Sequence, residues 1–365
     1  MTDNTAEILD DLVKAALKGG ADAADAVAVD ARSTGISWRD GAFEDVERSE
    51  GQDIGLRVMF GKQQAMASTS DRRPANLKDL VDRTISMARA VPEDEYCGLA
   101  PEERLAKPPF HELDLYDDTY VSADMLKEMA AEAEASARAV DGVTNSDGAG
   151  ASAGSWAISL ATSHGFSGHY QGSSFSMSIS AVAGEGTEME RDYDFSSKRH
   201  FADLASATSV GRTAGELAVK RLKPTKVESG GMPLVFEPRV ANSMLGHFSG
   251  AINGGAVARG TSFLKDMMGE EIFGPDVSII DNPFIKRGLS SKLFDGEGVE
   301  MAKTSLVENG SLKTWLLNSA TARQLGLPVT GHASRGTSSA PGISTSNLYM
   351  EAGKLSPTEL MSDIK

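Results

Sequence analysis

The chain has little cysteine, few aromatic residues and no long apolar run. Its 365 residues include one cysteine, Cys97, which excludes an internal disulfide and is typical of a reducing cytoplasm. No apolar stretch is long enough to cross a membrane, and the acidic N-terminal stretch lacks the apolar core of a signal peptide. We therefore expect a soluble, cytoplasmic protein without a membrane partner.

Positive charge is also scarce. The 36 Lys and Arg residues are outnumbered by 52 Asp and Glu residues, which gives a formal net charge of −16. A surface that binds nucleic acid needs basic side chains to neutralise the phosphates. We therefore expect no nucleic-acid partner.

Two stretches of the chain repeat one order of predicted elements, in which helices flank several strands. Apolar residues at three- and four-residue steps predict the helices, and period-two alternation predicts the strands. The predicted helices cover residues 5–18, 77–88, 122–140 and 201–222. The predicted strands lie near residues 26–29, 36–38, 43–47, 54–60, 65–68, 156–161 and 175–183, with another leading into Tyr193. We predict two α+β units, residues 1–91 and 120–222, packed as one body and joined by a proline-rich, acidic linker at 92–119.

The strand predicted at 175–183 has one apolar and one hydroxyl face. Its apolar residues Phe175, Met177, Ile179 and Ala181 alternate with Ser174, Ser176, Ser178 and Ser180. Such alternation places the two sets on opposite faces of a sheet. The favoured interpretation is a half-buried strand with a solvated serine face. The alternative is that the serines line a polar channel for a peptide.

The remainder of the chain, residues 228–365, is predicted to be a mainly β C-terminal domain. The dipeptide Asn309-Gly310 between two apolar runs is a hairpin signal, and residues 319–325 predict a short helix. The expected fold class is α+β, with a repeated helix–antiparallel strands–helix unit followed by this mainly β domain.

A histidine on a predicted helix is the first candidate for function. Residues 234–236 predict a short buried strand, Pro238 suits the first turn of a helix, and helical spacing continues to Ile252. This helix carries His247. Zinc-binding helices place two ligands one turn apart, as in H-E-x-x-H. The residues one turn from His247 are Ser243, Met244, Gly250 and Ala251, and none of them is a zinc ligand.

Four segments resemble the TldD/PmbA family, and among its members the PmbA (TldE) type is the closer match. The segments are 234–264, 281–300, 306–326 and 344–365. The resemblance to this family, historically called modulators of DNA gyrase, implies a cytoplasmic zinc metalloprotease system that acts on peptides. In it the TldD-type subunit carries an H-E-x-x-x-H helix, where this chain has Leu245-Gly246-His247-Phe248-Ser249-Gly250. Relatives usually continue for several further strands, so we expect the C-terminal domain here to be incomplete.

The resemblance implies a PmbA/TldE-type subunit that is itself non-catalytic and holds no metal. It would pair with a TldD-like, zinc-containing subunit, or with itself, to cleave or mature unfolded or modified peptides. Two alternatives stay open. One is a self-sufficient zinc metallopeptidase with ligands from separate segments, for example His247, His332 and either Asp295 or Glu297. The other is a peptide-binding module without a protease partner.

Polar residues on and after the predicted helix are candidates for peptide binding. The candidates are His247, Asn253, Arg259, Thr261, Ser262 and, in a later glycine-rich loop, His332. A loop with such side chains can hydrogen-bond an extended peptide backbone.

The stretch Gly150–Gly154 matches the nucleophile pattern G-x-S-x-G, but the residues after it predict a strand where that chemistry needs a helix. We interpret it as a loop of small residues and predict no catalytic residue.

Overall fold

The computed structural model of the protein describes residues 2–362 and residue 364. The helices are α1 Thr2–Lys18, α2 Pro74–Ala88, α3 Ala123–Arg138, α4 Ala207–Lys220, α5 Pro238–Ala251, α6 Gly254–Ala258, α7 Ser319–Leu325 and α8 Pro357–Ser362. The strands are β1 Ala23–Arg39, β2 Ala42–Phe60, β3 Gln63–Thr69, β4 Val143–Thr162, β5 Ser167–Ala183, β6 Glu190–Lys198, β7 Ile279–Asn282, β8 Thr304–Glu308, β9 Ser311–Leu312, β10 Ala333–Ser334, β11 Gly342–Ile343 and β12 Asn347–Met350. The presence of both helices and antiparallel strands confirms the predicted α+β class. Within the described residues, no helix combines the length and the apolar character needed to cross a membrane.

Six strands form one antiparallel sheet in the order β3-β2-β1-β4-β5-β6. At its centre, β1 pairs with β4, from Asp25 opposite Thr162 to Trp38 opposite Ala149. On each side of this pairing the chain order is helix, three strands, helix. The sheet therefore places the strands of the two sequence-predicted units side by side, while the exact unit boundaries stay a prediction.

The central strands are longer than the sequence predicts. β1 spans 17 residues and β2 spans 19, each running through stretches predicted as separate short strands. The prediction of a loop at residues 150–154 is wrong, because these residues lie inside β4 and pair with both β1 and β5. Neighbouring strands on both sides satisfy the backbone groups there. A strand can therefore continue through residues whose sequence shows no apolar alternation to predict it.

The helices α1 to α4 cover one face of the sheet. Residues such as Leu9 of α1 and Leu80 of α2 form one hydrophobic core with Leu56 of β2. A second core lies between α3, α4 and the β5 residues Met177 and Ile179.

The far end of the β1–β2 hairpin is held by a buried carboxylate on α3, Glu134. That carboxylate accepts hydrogen bonds from the Trp38 indole at 3.1 Å and from the backbone N–H groups of Asp40 and Gly41 at 2.8 and 2.7 Å.

The opposite face of the sheet is partly covered by residues 229–362, which we call the loop-rich region. This region contains two small sheets, one in the order β12-β7-β8-β9 and one made of β10 and β11. A third hydrophobic core joins Val27 and Leu160 of the large sheet to Phe294, Leu306 and Trp315 of the loop-rich region. The rest of that face of the sheet, which we call the open face, stays accessible.

Two further local predictions are wrong. Residues 234–236, predicted as a short buried strand, are irregular and exposed, with Leu234 71% exposed. The apolar run is real, but among the described residues no core packs against it. The helix predicted to begin at 201 begins at Ala207, since Ser206 caps it and a short 3-10 turn precedes it.

Candidate functional site

Helix α5 is attached to the rest of the molecule near both of its ends. Near its C-terminal end, the buried Phe248 ring meets Phe273 edge-on at a centroid distance of 5.7 Å. Near its N-terminal end, the Arg239 guanidinium donates to the backbone carbonyl of Tyr193 at 2.7 Å and to the Asp192 carboxylate at 3.0 Å. The helix therefore spans from the edge strand β6 to the core of the loop-rich region, and most of its surface is exposed.

His247 lies on the exposed side of α5. An H-E-x-x-x-H pattern beginning at His247 would place its Glu at Phe248 and its second His at Ile252, which are both buried apolar residues. A pattern ending at His247 would place them at Asn242 and Ser243, which are exposed. The accessible register is therefore Asn242 to His247. It presents one imidazole, with an amide and a hydroxyl in the other two positions.

These side chains do not fit a catalytic zinc ion. Such an ion takes three protein ligands from His, Cys, Asp or Glu and keeps an open position for water. Helix α5 offers one imidazole. In the part of the chain that the structure describes, no three His, Cys, Asp or Glu side chains come together in a way that could hold a metal ion. The described residues thus give no geometric support to a site made from His247, His332 and Asp295 or Glu297.

The polar residues that follow α5 divide into engaged and accessible ones. Asn253 caps α6, accepting a hydrogen bond from a backbone N–H of that helix at 2.9 Å. Ser262 is buried, and its hydroxyl donates to a backbone carbonyl at the end of α5 at 2.5 Å. Arg259 and Thr261 lie exposed after α6. Of this group, His247, Arg259 and Thr261 are therefore the side chains that a ligand can reach.

His332 is a core histidine and not a residue of the α5 surface. It is 2% exposed, and its Nδ1 lies 2.8 Å from the Thr330 hydroxyl. Its Nε2 lies 3.3 Å from the carboxylate of Asp281, which accepts two hydrogen bonds of 2.7 Å from Ser346. This cluster ties three distant segments of the loop-rich region together. His332 therefore contributes to the fold and does not line the accessible surface with His247.

The carboxyl groups of Asp295 and Glu297 are engaged as well. Asp295 accepts from the backbone N–H groups of Glu297, Val299 and Ala333 at 2.8, 2.9 and 3.0 Å. Glu297 accepts from the backbone N–H of Ser319, at the start of α7, at 2.8 Å. Burial and the neighbouring Glu297 carboxylate raise the pKa of Asp295 to about 7, although the three N–H donors favour its charged form. Both side chains hold loops in place.

The serine strand has the two faces that its alternation predicts. Phe175, Met177 and Ile179 are buried, and Met177 and Ile179 pack in one core with α3 and α4. The alternating serines point to the open face, where the hydroxyls of Ser152 and Ser176 lie 2.8 Å apart. A cavity of about 240 Å³ lies there, lined on its far side by Asp45 and Glu47 of β2. The open face is therefore hydroxyl-rich and carries acidic groups at one side.

An aromatic pair borders the open face on β6. Tyr193 and Phe195 pair with Ser180 and Ser178 in the strand register, so they lie on the serine side of the sheet. Both rings are about half exposed, and they stack at a centroid distance of 6.3 Å. The Arg239 guanidinium lies 4.9 Å from the centre of the Tyr193 ring. Helix α5, this aromatic pair and the serines together form the candidate functional surface.

Tyr193, Phe195 and Arg239 were not among the sequence-predicted candidates. The two aromatic residues alternate with charged ones on the last strand of the sheet, and this signal was available. Arg239 carried no such signal, since its partner strand lies 46 residues earlier in the chain.

Comparison with known proteins shows the family. Residues 24–88, 116–222 and 229–365 match, in turn, domain 1, the central domain and the C-terminal domain of PmbA/TldA metallopeptidases. The metalloprotease PmbA homolog of Haemophilus influenzae is 34% identical over 88% of this chain and 71% of its own length. Metalloprotease PmbA of Escherichia coli O157:H7 is 33% identical over 90% of this chain and 73% of its own length. The chain belongs to the PmbA/TldD metallopeptidase family. Within that family it is a member of the PmbA/TldE type.

Solved structures share the fold. A protein from Bacteroides thetaiotaomicron described as a modulator of DNA gyrase has a TM-score of 0.90 at 24% identity, over 100% of this chain and 81% of that chain. TldE from Thermococcus kodakarensis has a TM-score of 0.83 at 21% identity, over 98% of this chain and 80% of that chain. At these identities the likeness is one of fold.

Proposed function

We propose that this chain is the non-catalytic subunit of a cytoplasmic PmbA/TldD-type metalloprotease system. In this proposal it pairs with a TldD-like subunit, which supplies the zinc site, and helps to hold unfolded or modified peptides while they are cleaved or matured. The family membership supports a role in peptide processing. The division of labour between two subunits rests on the residues of α5.

The observation that carries the proposal is the single imidazole on α5. In the accessible register, the helix has Asn242 and Ser243 where a zinc-dependent hydrolase needs a second histidine and a glutamate. A neutral amide or hydroxyl cannot take the role of a general base at neutral pH. The helix therefore keeps the exposed position of a catalytic helix without the side chains for that chemistry.

Exposed apolar side chains on α5 support a protein partner. Val240 and Met244 lie one turn apart and are each about half exposed, and Leu234 to Phe236 precede them with similar exposure. Contiguous exposed apolar surface commonly marks a binding interface. We place the TldD-like subunit against this side of α5.

The open face supports peptide binding beside that interface. Serine hydroxyls both donate and accept hydrogen bonds, so they suit the backbone of an extended peptide of any sequence. Tyr193 and Phe195 offer stacked rings to apolar side chains of the peptide. This chain would thus contribute a surface that binds the peptide, and its partner would contribute the zinc site that cleaves it.

The test compares this chain alone, a TldD-like protein from the same genome alone, and their mixture, with an unstructured peptide as substrate. We expect no cleavage by this chain with or without zinc, and chelator-sensitive cleavage by the mixture. Met244→Asp should lower the activity of the mixture at least tenfold by weakening the pairing, whereas Met87→Asp, at an exposed methionine on α2, should not. Robust chelator-sensitive cleavage by this chain alone would overturn the proposal in favour of a self-sufficient peptidase. Peptide binding by a chain that pairs with no TldD-like protein would favour a binding module.

A further inference from the structure

A cavity of about 150 Å³ lies between the six-stranded sheet and the loop-rich region. Its lining is partly apolar and partly polar. The apolar lining is formed by Val27, Ile158, Leu160 and Phe294, and the polar lining by Tyr170, Lys292, Asp295, Ser334 and Arg335. An apolar cavity of similar volume in another protein is large enough for benzene. This cavity therefore has room for a ligand of about six or seven heavy atoms.

Arg335 gives this cavity an excess of positive charge. Its side chain is 4% exposed and forms an ion pair with Asp25, which also pairs with the buried Arg57. Against the effect of burial, Arg335 and Arg57 hold the pKa of Asp25 below its usual value. Two buried guanidinium groups therefore share one carboxylate, so one positive charge lacks a counterpart. The Nε and Nη1 atoms of Arg335 have no hydrogen-bond partner among the described residues. Unpaired buried donors are costly, and an anion would relieve that cost.

Lys292 adds a second cation to the lining. Its ammonium group donates to the Ser344 hydroxyl at 3.2 Å and is not paired with a carboxylate within the described residues. Burial lowers the pKa of this ammonium group, as expected for a cation in a poorly solvated position. The carboxyl group of Asp295, which also lines the cavity, offsets part of this positive charge when it is ionised. Burial and the neighbouring Glu297 carboxylate raise its pKa to about 7, so this offset is incomplete at neutral pH.

The walls of the cavity are fixed by packing. The Tyr170 ring meets Trp156 and Phe294 edge-on at centroid distances of 5.4 and 5.1 Å. The segment that carries Arg335 lies so close to Gly296 that an added Cβ there would come within 2.7 Å of the Arg335 backbone nitrogen. The cationic and apolar walls therefore stay in place without a ligand, which favours binding because little ordering is needed.

We propose that this cavity binds a small carboxylate with a short apolar tail. The carboxylate would lie toward Arg335 and Lys292, and the tail would lie against Val27, Leu160 and Phe294. A planar carboxylate suits the forked donors of a guanidinium. Either a free short-chain acid or the C-terminal residue of a peptide has this chemistry. The inference does not depend on the proposed pairing with a TldD-like subunit.

The experiment is titration calorimetry on the full chain with sodium isovalerate, isovaleramide and inorganic phosphate. We expect isovalerate to bind with a Kd of about 1 mM or tighter, and the neutral amide at least tenfold more weakly. Lys292→Gln should weaken isovalerate binding at least fivefold, whereas Lys313→Gln, at an exposed lysine of the loop-rich region, should leave it unchanged. N-acetyl-alanyl-valine, with a free C-terminal carboxylate, distinguishes the sources: binding tighter than isovalerate indicates a peptide terminus, and weaker binding indicates a free acid.

Three results would overturn the proposal. They are equal binding of isovalerate and isovaleramide, no binding of either, or phosphate binding as tightly as isovalerate, since phosphate has no tail to fill the apolar wall. The comparison of acid and amide uses the unaltered chain. It therefore decides the question even where the Lys292 variant fails to fold.

Discussion

The sheet body of residues 2–222 and the loop-rich region are each stabilised by a different kind of interaction. In the sheet body, long strands and helices bury alternating or helically spaced apolar residues such as Leu9, Leu56 and Met177. In the loop-rich region the strands have two to five residues, and buried polar side chains fix the loops. Asp281, for example, binds Ser346 from 65 residues away. Local periodicity thus encodes the first region, and contacts between distant residues encode the second.

The largest expected effect comes from breaking the buried charges that join the two regions. Asp25→Ala leaves Arg57 and Arg335 without their shared carboxylate in a buried position. Removing one partner of such a group costs about 3–5 kcal/mol of the free energy of unfolding. Urea unfolding followed by circular dichroism measures it.

The matched control is Asp82→Ala, which breaks an ion pair with Lys78 on the exposed side of α2. It should hardly change the urea midpoint, because exposed pairs contribute little. An Asp25 variant as stable as this control would show that the charges do not join the two regions.

A smaller effect is expected where a loop touches the sheet directly. At Gly55 of β2, an added Cβ would lie 2.0 Å from the Thr337 carbonyl oxygen. Gly55→Ala must therefore push the 335–337 loop off the sheet, at a cost of about 1–3 kcal/mol. Gly35→Ala, in the same sheet, meets nothing within 4 Å and serves as the control. Equal urea midpoints for the two variants would contradict the close contact between loop and sheet.

The smallest effect is a pH dependence specific to the loop-rich region. The raised pKa of Asp295, about 7 against an ordinary value of 3.8, means that the folded chain keeps a proton that the unfolded chain loses. This contribution is complete below pH 4 and disappears as the pH rises toward 7, so stability falls with rising pH in that window. Relative to Asp295→Asn, which does not titrate, the free energy of unfolding should fall by about 1 kcal/mol between pH 5 and 6. Urea unfolding at both pH values measures the difference, and parallel pH profiles of the two proteins would contradict the raised pKa.

The helices of the sheet body could be predicted because their apolar spacing reflects the core that they face. The strands could be predicted only in part. Residues 30–34 and 48–52 lack apolar alternation, yet they pair with each other in the β1–β2 hairpin because the backbone N–H and C=O groups of each strand hydrogen-bond to those of the other. The opposite error occurred at residues 234–236, where an apolar run predicted burial and the structure leaves it exposed. Apolar residues on an exposed surface cannot be told from core residues by pattern alone.

The part of the candidate site that lies on a single helix, α5, could be predicted from the sequence. The helix that begins at Pro238 and presents His247 follows from the spacing of its residues. The burial of His332 could not be predicted, since Asp281 and Ser346 reach it from distant segments. The contact of Arg239 with β6 likewise depends on the packing of the loop-rich region against the sheet. No residue pattern near these positions indicates such contacts.

The residues of helix α5 lead us to expect that this chain does not supply a catalytic zinc site. The most direct measurement is the zinc content of the untagged protein after incubation with zinc and exhaustive dialysis, for the unaltered chain and for His247→Ala. We expect both proteins to retain the same zinc content, well below the roughly one ion per chain of a catalytic site. One tightly held zinc per chain that disappears in His247→Ala would contradict it.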